Sequence, residues 1–455
     1  MQRSFPSRSW IFRSVLAAVA LILTPAAVLA DDAPATSNPV TTTFDTWGFH
    51  AQATSVSQYH PAFHAAYSGP NSLSDDNRGS TTNDVTVFLG VRPWAGAEVW
   101  LDPEIDQGFG LNNTLGVAGF TSGEAYKVGR STPYFRMQRW FLRQTIDLGG
   151  ERQKVDADQN QLGGSQTANR VVLTIGKYSV VDIFDTNRYA HDARNDFLNW
   201  SIIDTGTYDY AADAWGYTYG AAGEWYQGSW TTRFGFFGLS DVPNSKKLDG
   251  TLRQFQEDAE IEHRHQLWGQ PGAVRITAFA THGRMGAYVE AVGESEVTGL
   301  PPNIAAVRRW AVRDGFSLSA EQQLSEDLGV FLRAGWAEGD KETYEFTDID
   351  RTVSAGLSMT GKRWGRADDT VGLAGVVNAP SEQLKAFLAA GGLGVLIGDG
   401  KLINSGPERI LETYYSLALF KLARLTFDYQ FVDNPGYNRD RGPVSVLSAR
   451  VHAQF

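Results

Sequence analysis

The chain contains 455 residues with a formal net charge of −11, no cysteine and 12% aromatic residues, among them 13 Trp and 17 Tyr. The acidic balance argues against nucleic-acid binding, and the lack of cysteine excludes a disulfide-stabilised scaffold. A mean hydropathy of −0.28 argues against a bundle of membrane-spanning helices, but not against membrane-spanning strands in which apolar and polar residues alternate.

The first 30 residues have the pattern of a secretory signal peptide. Arg3, Arg8 and Arg13 precede an apolar run at 15–23, and small or aliphatic residues precede a cleavage position after Ala30. An uncleaved membrane anchor is the alternative, but the apolar run is shorter than the ~20 residues that span a bilayer. The sequence therefore predicts cleavage near Ala30 and export from the cytoplasm.

Residues 31–43 are rich in Pro, Thr and Ala, which predicts a flexible mature N-terminus. Residues 44–455 consist mainly of segments in which apolar and polar side chains alternate, as in β-strands with two different faces. Most segments reach about ten residues, the length that a tilted strand needs to cross a bilayer. We predict about sixteen strands, at 44–58, 83–92, 96–105, 134–148, 169–178, 214–226, 229–238, 254–267, 273–284, 310–324, 328–338, 350–360, 369–378, 408–420, 423–432 and 443–455.

The last segment shows the two faces clearly. Leu447, Val451 and Phe455 fall on one face, whereas Arg450 and His452 fall on the other. A strand of a soluble sandwich can have this pattern too. A C-terminal aromatic residue that closes a long series of such strands behind a signal peptide is typical of a membrane barrel, with apolar side chains in lipid and polar ones in the lumen.

Long and short connections alternate along the chain, as they do in an up-and-down barrel with long extracellular loops and short periplasmic turns. The short links are at 93–95, 228, 269–272, 325–327 and 421–422, and the long ones are at 57–82, 106–133, 179–213, 285–309 and 379–407. The exception is 149–168, a long polar link where a short turn is expected. The sequence predicts an all-β fold, a transmembrane antiparallel β-barrel over 44–455.

One long connection contains a helix pattern. Ser381 is a candidate N-cap, Leu384, Phe387 and Leu388 form an apolar stripe, and Gly391 is a stop signal. We expect this helix to pack under an outer loop.

Enzyme motifs are weak in this sequence, which has no phosphate-binding loop, no G-x-S-x-G, no H-E-x-x-H and no Cys site. The clustered histidine pairs, His60 with His64 and His263 with His265, lack the carboxylate partners of a metal site. The sequence therefore predicts no catalytic residues, no metal and no cofactor.

The predicted loop at 179–213 is the richest in binding chemistry, because acids, arginines and amides lie beside aromatic rings. Sugar hydroxyls need such donors and acceptors, and sugar C–H faces pack on aromatic rings. We expect this loop to fold into the barrel and contact a neutral sugar. The alternative is a loop held by its own salt bridges that only narrows the pore. The candidates are Asp182, Asp185, Arg188, Asp192, Arg194, Asn199 and Trp200.

The strand phase adds candidates that should face the lumen. For each of them the alternative is simple lumen polarity and pairing between strands. We expect Trp100, Trp200 and Tyr414 to supply aromatic contacts to a substrate. The pore-lining candidates on strands are Glu98, Trp100, Arg143, Glu224, Arg233, Arg275, Glu321, Arg333 and Tyr414.

Several stretches together resemble the OprB-type carbohydrate-selective porins. They are 60–64 with 67–73, 107–110 with 116–120, 182–192, 210–216 and 434–443. The resemblance implies a sixteen-stranded barrel in the outer membrane of a Gram-negative bacterium that passes mono- or small oligosaccharides by facilitated diffusion. The alternatives are a general diffusion porin without sugar binding, or a plugged barrel that acts as an adhesin or an enzyme.

The partners expected of such a barrel are a carbohydrate substrate, outer-membrane lipid with lipopolysaccharide, and the barrel assembly machinery, which would recognise the C-terminal strand that ends at Phe455. The sequence leaves open whether the chain forms a homo-oligomer.

Overall fold

The structure, a computed structural model, describes residues 44–126 and 128–455. Sixteen antiparallel strands follow one another in chain order and close into a barrel, because β1 pairs with both β2 and β16. The predicted all-β barrel is confirmed, whereas the predicted signal peptide at 1–30 and flexible segment at 31–43 lie outside the described residues. The strands are β1 (Trp47–His60), β2 (Arg78–Val91), β3 (Ala97–Gly108), β4 (Arg130–Val155), β5 (Gly164–Tyr178), β6 (Thr218–Gln227), β7 (Trp230–Gly238), β8 (Phe255–Leu267), β9 (Gln270–Met285), β10 (Arg309–Gln323), β11 (Leu328–Ala337), β12 (Arg351–Gly361), β13 (Arg366–Ala379), β14 (Glu408–Phe420), β15 (Ala423–Asp433) and β16 (Val444–Gln454).

The strands turn apolar side chains outward and polar side chains inward. In β16, Leu447 and Val451 are about half exposed on the outer surface, whereas Arg450 and His452 are buried inside the barrel. A water-soluble protein hides its apolar side chains and exposes its charges. The outer surface of this barrel is therefore suited to lipid.

Short turns lie at one end of the barrel and long connections at the other. Both chain ends of the barrel lie at the short-turn end, where the Phe455 N–H donates to the Ala51 carbonyl at 3.0 Å. The long connections are 61–77, 109–129, 179–217, 239–254, 286–308, 338–350, 380–407 and 434–443.

The prediction of a long link at 149–168 is wrong. Strand β4 continues to Val155 and β5 begins at Gly164, so that only 156–163 form the turn. The register shifts around Gly149, whose φ is +107°. This bulge breaks the alternation of side chains while backbone pairing continues, and a pattern based on alternation therefore misses the extension.

Three α-helices occur in the described long connections. They are α1 (Trp200–Ile203), α2 (Tyr288–Thr298) and α3 (Glu382–Ala389), and short 3₁₀ turns occur at Leu111–Thr114, Val180–Asp182, Ile304–Val307, Lys362–Trp364 and Pro435–Tyr437. Helix α3 is the one that the sequence predicts. Its N-cap Ser381 accepts a hydrogen bond from the Leu384 N–H at 3.0 Å. In the described part of the chain, none of the helices is long and apolar enough to cross a bilayer.

The buried core lies inside the barrel, where the long connections pack against one another. The Phe120 and Trp200 rings stack at 5.3 Å, and Tyr210 meets Phe346 edge-on at 4.6 Å. Loops fill much of the lumen, and the barrel is not an open tube.

Candidate functional site

The connection between β5 and β6, residues 179–217, runs inside the barrel and is mostly buried. Its backbone N–H groups have no neighbouring strand to pair with there, so they need other acceptors. Carboxylates of the barrel wall supply them. The Asp185 N–H donates to Glu260 at 2.8 Å, and the Arg188 N–H donates to Glu321 at 2.7 Å.

Guanidinium groups of the wall bind the carbonyls of the same loop. Arg333 donates to the carbonyls of Ile202 at 2.8 Å and Asp185 at 3.0 Å. Arg450 likewise donates to the carbonyls of Ala193 and Asp196, the second at 2.9 Å. Charges of both signs on the wall therefore fix the loop in place.

The connection between β3 and β4 also enters the lumen. The N–H groups of Ala118 and Gly119 donate to the buried Glu408 carboxylate at 2.9 and 2.8 Å. The Asn199 amide donates to the Gly119 carbonyl at 2.8 Å, which ties this loop to the first one. The two loops form one packed unit that is bound to side chains of β8, β10, β11, β14 and β16. The wall of β2–β6 lies on their other side.

A cavity of about 1120 Å³ lies between these loops and the wall. It extends to the short-turn end, where the tip of the β4–β5 hairpin turns back into the lumen. The Asn160 carbonyl accepts a hydrogen bond from Arg143 at 2.7 Å, and the Asn160 amide donates to Asp102 at 3.0 Å. Polar amides of the hairpin, Gln159 and Gln161 among them, therefore line this end of the cavity.

One charged pair lies at the cavity with both side chains partly exposed. The Arg139 guanidinium donates to both oxygens of Asp182, at 2.8 and 2.7 Å, and lies 4.9 Å from the centre of the Tyr217 ring. Burial acts to raise the pKa of Asp182, but Arg139 outweighs it and the pKa is lowered. The pair is therefore an ionised donor and acceptor that a solute can reach.

A second charged cluster surrounds Arg194. Its guanidinium lies 3.4 Å from Asp84, 3.7 Å from Glu104 and 3.3 Å from Glu124. Burial raises the pKa of Glu124 well above its usual range, because Arg194 is shared among several acids and cannot offset the lost hydration. Glu124 therefore keeps its proton to a higher pH than an ordinary glutamate does.

Aromatic rings complete the cavity wall. Trp215 donates from its indole N–H to the Tyr134 hydroxyl at 2.9 Å, and the Arg136 guanidinium lies 3.4 Å from the centre of its ring. The rings at the cavity include Tyr178, Trp200, Tyr210, Trp215 and Tyr217. Rings beside charged and amide groups can contact both the C–H faces and the hydroxyls of a sugar.

Ten of the sixteen predicted site residues line a cavity. Those at the main cavity are Glu98, Arg143, Asp182, Asp192, Arg194, Trp200 and Glu224. A second cavity of about 460 Å³ lies at the short-turn end near β8–β10, and it is lined by Arg188, Arg275 and Glu321 together with other residues. The inward loop contributes to both cavities, because Asp182, Ile183 and residues 191–194 line the main one whereas Arg188 and Tyr189 line the second.

The other six predicted residues are buried away from both cavities and have structural contacts. Asp185, Asn199 and Arg333 hold the inward loop, and Arg233 is bound by three wall carboxylates, Glu224, Glu260 and Glu262. Their prediction as substrate contacts has no support in the geometry, because loop backbone and wall carboxylates already occupy their polar groups.

Two of the three predicted aromatic contacts are also buried. Trp100 donates to Glu98 at 3.0 Å, and its ring fills the space that the missing side chain of Gly90 leaves. Tyr414 packs edge-on against Phe197 at 5.0 Å. Only Trp200 of these three reaches the cavity.

The sequence pattern missed Arg139 because of a bulge. Asp102 pairs with Arg139 and Pro103 pairs with Met137, so Gln138 is an extra residue in β4. Both Gln138 and Arg139 consequently turn inward, against the strict alternation. The sequence did contain one signal of this bulge, Pro103 in the neighbouring strand β3. Proline has no N–H to donate to a neighbouring strand and often lies at a bulge.

Trp215 and Tyr217 were missed for a different reason. The sequence placed them in a strand from 214, whereas β6 begins at Thr218 and both residues belong to the inward loop. In the described residues, no three His, Asp or Glu side chains are grouped as metal ligands.

Comparison with known proteins agrees with this architecture. The family model described as carbohydrate-selective porin, OprB family, matches residues 71–455. No curated protein sequence matches the chain. Among solved structures, the high-pH structure of Pseudomonas putida OprB is 13% identical, with a TM-score of 0.67 over 90% of this chain and 94% of that chain. DcaP of Acinetobacter baumannii and OccK8 (OprE) of Pseudomonas aeruginosa are each 10% identical over 90% of this chain, with TM-scores of 0.48 and 0.44, and 97% and 98% of their chains are covered.

A closed sixteen-stranded barrel with an apolar outer surface and a polar cavity in its lumen is a channel of the outer-membrane porin class. The chain belongs to the OprB family of carbohydrate-selective porins. It is therefore a sugar porin of the Gram-negative outer membrane. That the short turns face the periplasm and the long connections face the cell exterior stays a prediction from the sequence.

Proposed function

We propose that mono- and small oligosaccharides cross the barrel by passive facilitated diffusion through the main cavity. The observation that supports this route is the Arg139–Asp182 pair, which lies partly exposed among aromatic rings at the same cavity. The volume of the main cavity, about 1120 Å³, exceeds the ~300–1000 Å³ of pockets that hold drug-sized ligands.

The pair offers a planar set of N–H donors beside two carboxylate oxygens. A vicinal diol can replace water at both groups, while Tyr217 and Trp215 cover the C–H face of the ring. Binding has to stay weak, because a tightly held solute would stop the flux. No energy source or cofactor enters this scheme.

The other predicted residues at the cavity extend the polar path. Glu98 and Arg143 lie 3.7 Å apart on neighbouring strands, near the amides of the β4–β5 hairpin. A sugar that leaves the Arg139–Asp182 pair meets these groups next on its way to the periplasmic end. We propose that this hairpin forms the exit of the path.

The test is liposome swelling with glucose, a disaccharide and a charged amino acid of glucose-like size. We expect uptake of sugar to saturate, and we expect Arg139→Gln with Asp182→Asn to raise the half-saturating glucose concentration about tenfold, since a charged hydrogen bond contributes ~1.5–3 kcal/mol. The matched control is Arg409→Gln with Asp433→Asn, a pair at 3.4 Å on the outer rim. Uptake that never saturates, or equal effects of the two double variants, would contradict the proposed path.

We also propose that the barrel assembly machinery recognises β16 through Phe455, whose ring is exposed on the outer surface. Phe455→Ala should lower the assembled fraction in cells, measured by the heat-dependent gel mobility of the barrel. Phe420→Ala, another exposed ring near the periplasmic end, is the control. Equal assembly of both variants would argue against this recognition. Whether copies of the chain associate is measured by light scattering of the folded protein in detergent.

A further inference from the structure

Three arginines stand on the outer rim of the barrel at the extracellular end of β8–β12. Arg284 near the end of β9 and Arg351 at the start of β12 lie on exposed positions in phase with the lipid-facing side chains, and Arg253 is exposed just before β8. None of the three forms an ion pair within the described part of the chain. We call these three residues the rim arginine patch.

Tryptophans lie directly beside the patch. Trp310 pairs with Arg284 in the strand register and its ring is well exposed on the outer surface. Trp336 pairs with Arg351, whose guanidinium lies 5.0 Å from the centre of the indole ring. Exposed Trp side chains mark the level of lipid headgroups, so the arginines lie at or just above that level.

No ion pair neutralises the three guanidinium groups in the described residues, although the Asp350 and Asp340 carboxylates attract Arg351 at longer range. Two carboxylates lie nearer the membrane centre on the same face, Glu257, which contacts His282 at 3.4 Å, and Asp314. Elsewhere on the outer rim, Arg409 lies 3.4 Å from Asp433 across β14 and β15. Arg78 and Arg130 are also exposed at this end of the barrel without an ion pair in the described residues, so the rim arginine patch is marked by its neighbouring tryptophans and not by the lack of ion pairs.

The side chains below Arg351 are apolar. Val353 follows it on the outer face of β12, and Val377 lies beside it on β13. A molecule held at this place therefore meets cations and indole rings at its head and an apolar surface below. A membrane lipid with a phosphate headgroup matches this surface, because its charged head lies above its apolar chains.

We infer that the rim arginine patch binds the phosphate groups of a lipopolysaccharide headgroup in the outer leaflet. Guanidinium groups pair with phosphate through parallel N–H donors, and Arg351 is already oriented by the carbonyls of Ala337 and Asp350, both at 2.6 Å. This inference depends on the outer-membrane location of the barrel and not on the sugar path, which lies on the inner side of the wall.

The test is native mass spectrometry of the folded protein in detergent, titrated with lipid A that carries two phosphates. Lipid A without phosphates and inorganic phosphate are the two comparison ligands. We expect Arg253→Gln with Arg284→Gln and Arg351→Gln to weaken binding of the phosphorylated lipid at least tenfold. We expect Arg409→Gln to leave it unchanged, and the three Arg→Lys substitutions to restore part of the affinity.

The folded state is checked by heat-dependent gel mobility, and the single variant Arg351→Gln is used if the triple variant does not fold. Equal binding of phosphorylated lipid A by the wild type and the variant would overturn the inference. Equal binding of both lipids would also overturn it, because the contact would then be only apolar. Displacement by inorganic phosphate alone would show a free-anion site and not a lipid site. Glucose swelling rates should be the same in all these variants, so that failure here is separate from failure of the sugar path.

Discussion

Glu408 should control the width of the channel although it does not line it. Its buried carboxylate accepts three backbone N–H groups, from Ala118 at 2.9 Å, Gly119 at 2.8 Å and Gly436 at 2.8 Å. Two long connections, 109–129 and 434–443, are therefore attached to one side chain of β14. The substitution Glu408→Leu removes the acceptors of all three N–H groups and preserves the strand.

The size of the effect follows from the three donors. A buried N–H without an acceptor costs ~1–3 kcal/mol, so the three together cost about 3–9 kcal/mol if water cannot reach them. Moving the loop out of the lumen restores hydration to these groups. Since 1.4 kcal/mol corresponds to a factor of ten, the population with the loop displaced should rise by at least about a hundredfold.

The assay is liposome swelling with glucose and a trisaccharide. We expect the ratio of trisaccharide to glucose uptake to rise about tenfold or more in Glu408→Leu. Glu408→Gln, which keeps one oxygen acceptor, should have an intermediate ratio. Glu257→Leu, on the outer face, is the control. Gel mobility on heating should show a folded barrel, because the backbone pairing of β14 does not involve this side chain. An unchanged uptake ratio in a folded Glu408→Leu barrel would refute the reasoning.

Two further predictions concern the lipid face and the cavity. Phe427→Arg, on the outer face in the middle of β15, should lower the free energy of unfolding by ~2–4 kcal/mol. Leu425→Arg lies closer to the periplasmic turn and should lower it by only ~1 kcal/mol. Urea unfolding from vesicles measures both, and equal costs would contradict this depth order. Because burial, together with the nearby Asp84, raises the pKa of Glu124 well above its usual range, Glu124→Gln should have the ion selectivity of the wild type at acidic pH, where this carboxyl is protonated. As the pH rises further, only the wild type should gain cation preference in single-channel recordings. A cation preference that appears already in the pH range where an ordinary Glu ionises would contradict the raised pKa.

The strands could be predicted from the sequence because lipid and lumen impose opposite demands on alternate residues. In β16 the alternation is unbroken. Val451 was therefore assigned to the lipid face and Arg450 to the lumen face without any knowledge of neighbouring strands. Where a bulge interrupts the phase, the same rule fails. Gln138 and Arg139 both face inward, and nothing within β4 itself marks the extra residue.

The site was less predictable because the rule that identifies inward residues does not say what they meet there. A wet lumen would leave Arg333 and Tyr414 free to contact a solute. The inward loops displace that water, and Arg333 instead binds the loop carbonyls of Ile202 and Asp185. Whether a lumen residue contacts the solute depends on where the loops stop, which is a property of tertiary packing.

The same packing explains why the wall is so rich in charge. Inward loops bring many backbone N–H and C=O groups into the barrel without a partner strand, and each must be paired. Neutral side chains could satisfy them singly, but one carboxylate such as Glu408 accepts several N–H groups at once, and one guanidinium such as Arg333 serves two carbonyls. Charged residues on the inner face therefore shape the sugar path by fixing the loops. Only wall residues that the loops leave uncovered, such as Arg139, can reach the solute, together with loop residues such as Asp182. A sugar-selective barrel of this design should change its sugar preference through its loops more readily than through its strands, because a strand residue reaches the solute only where a loop leaves it uncovered.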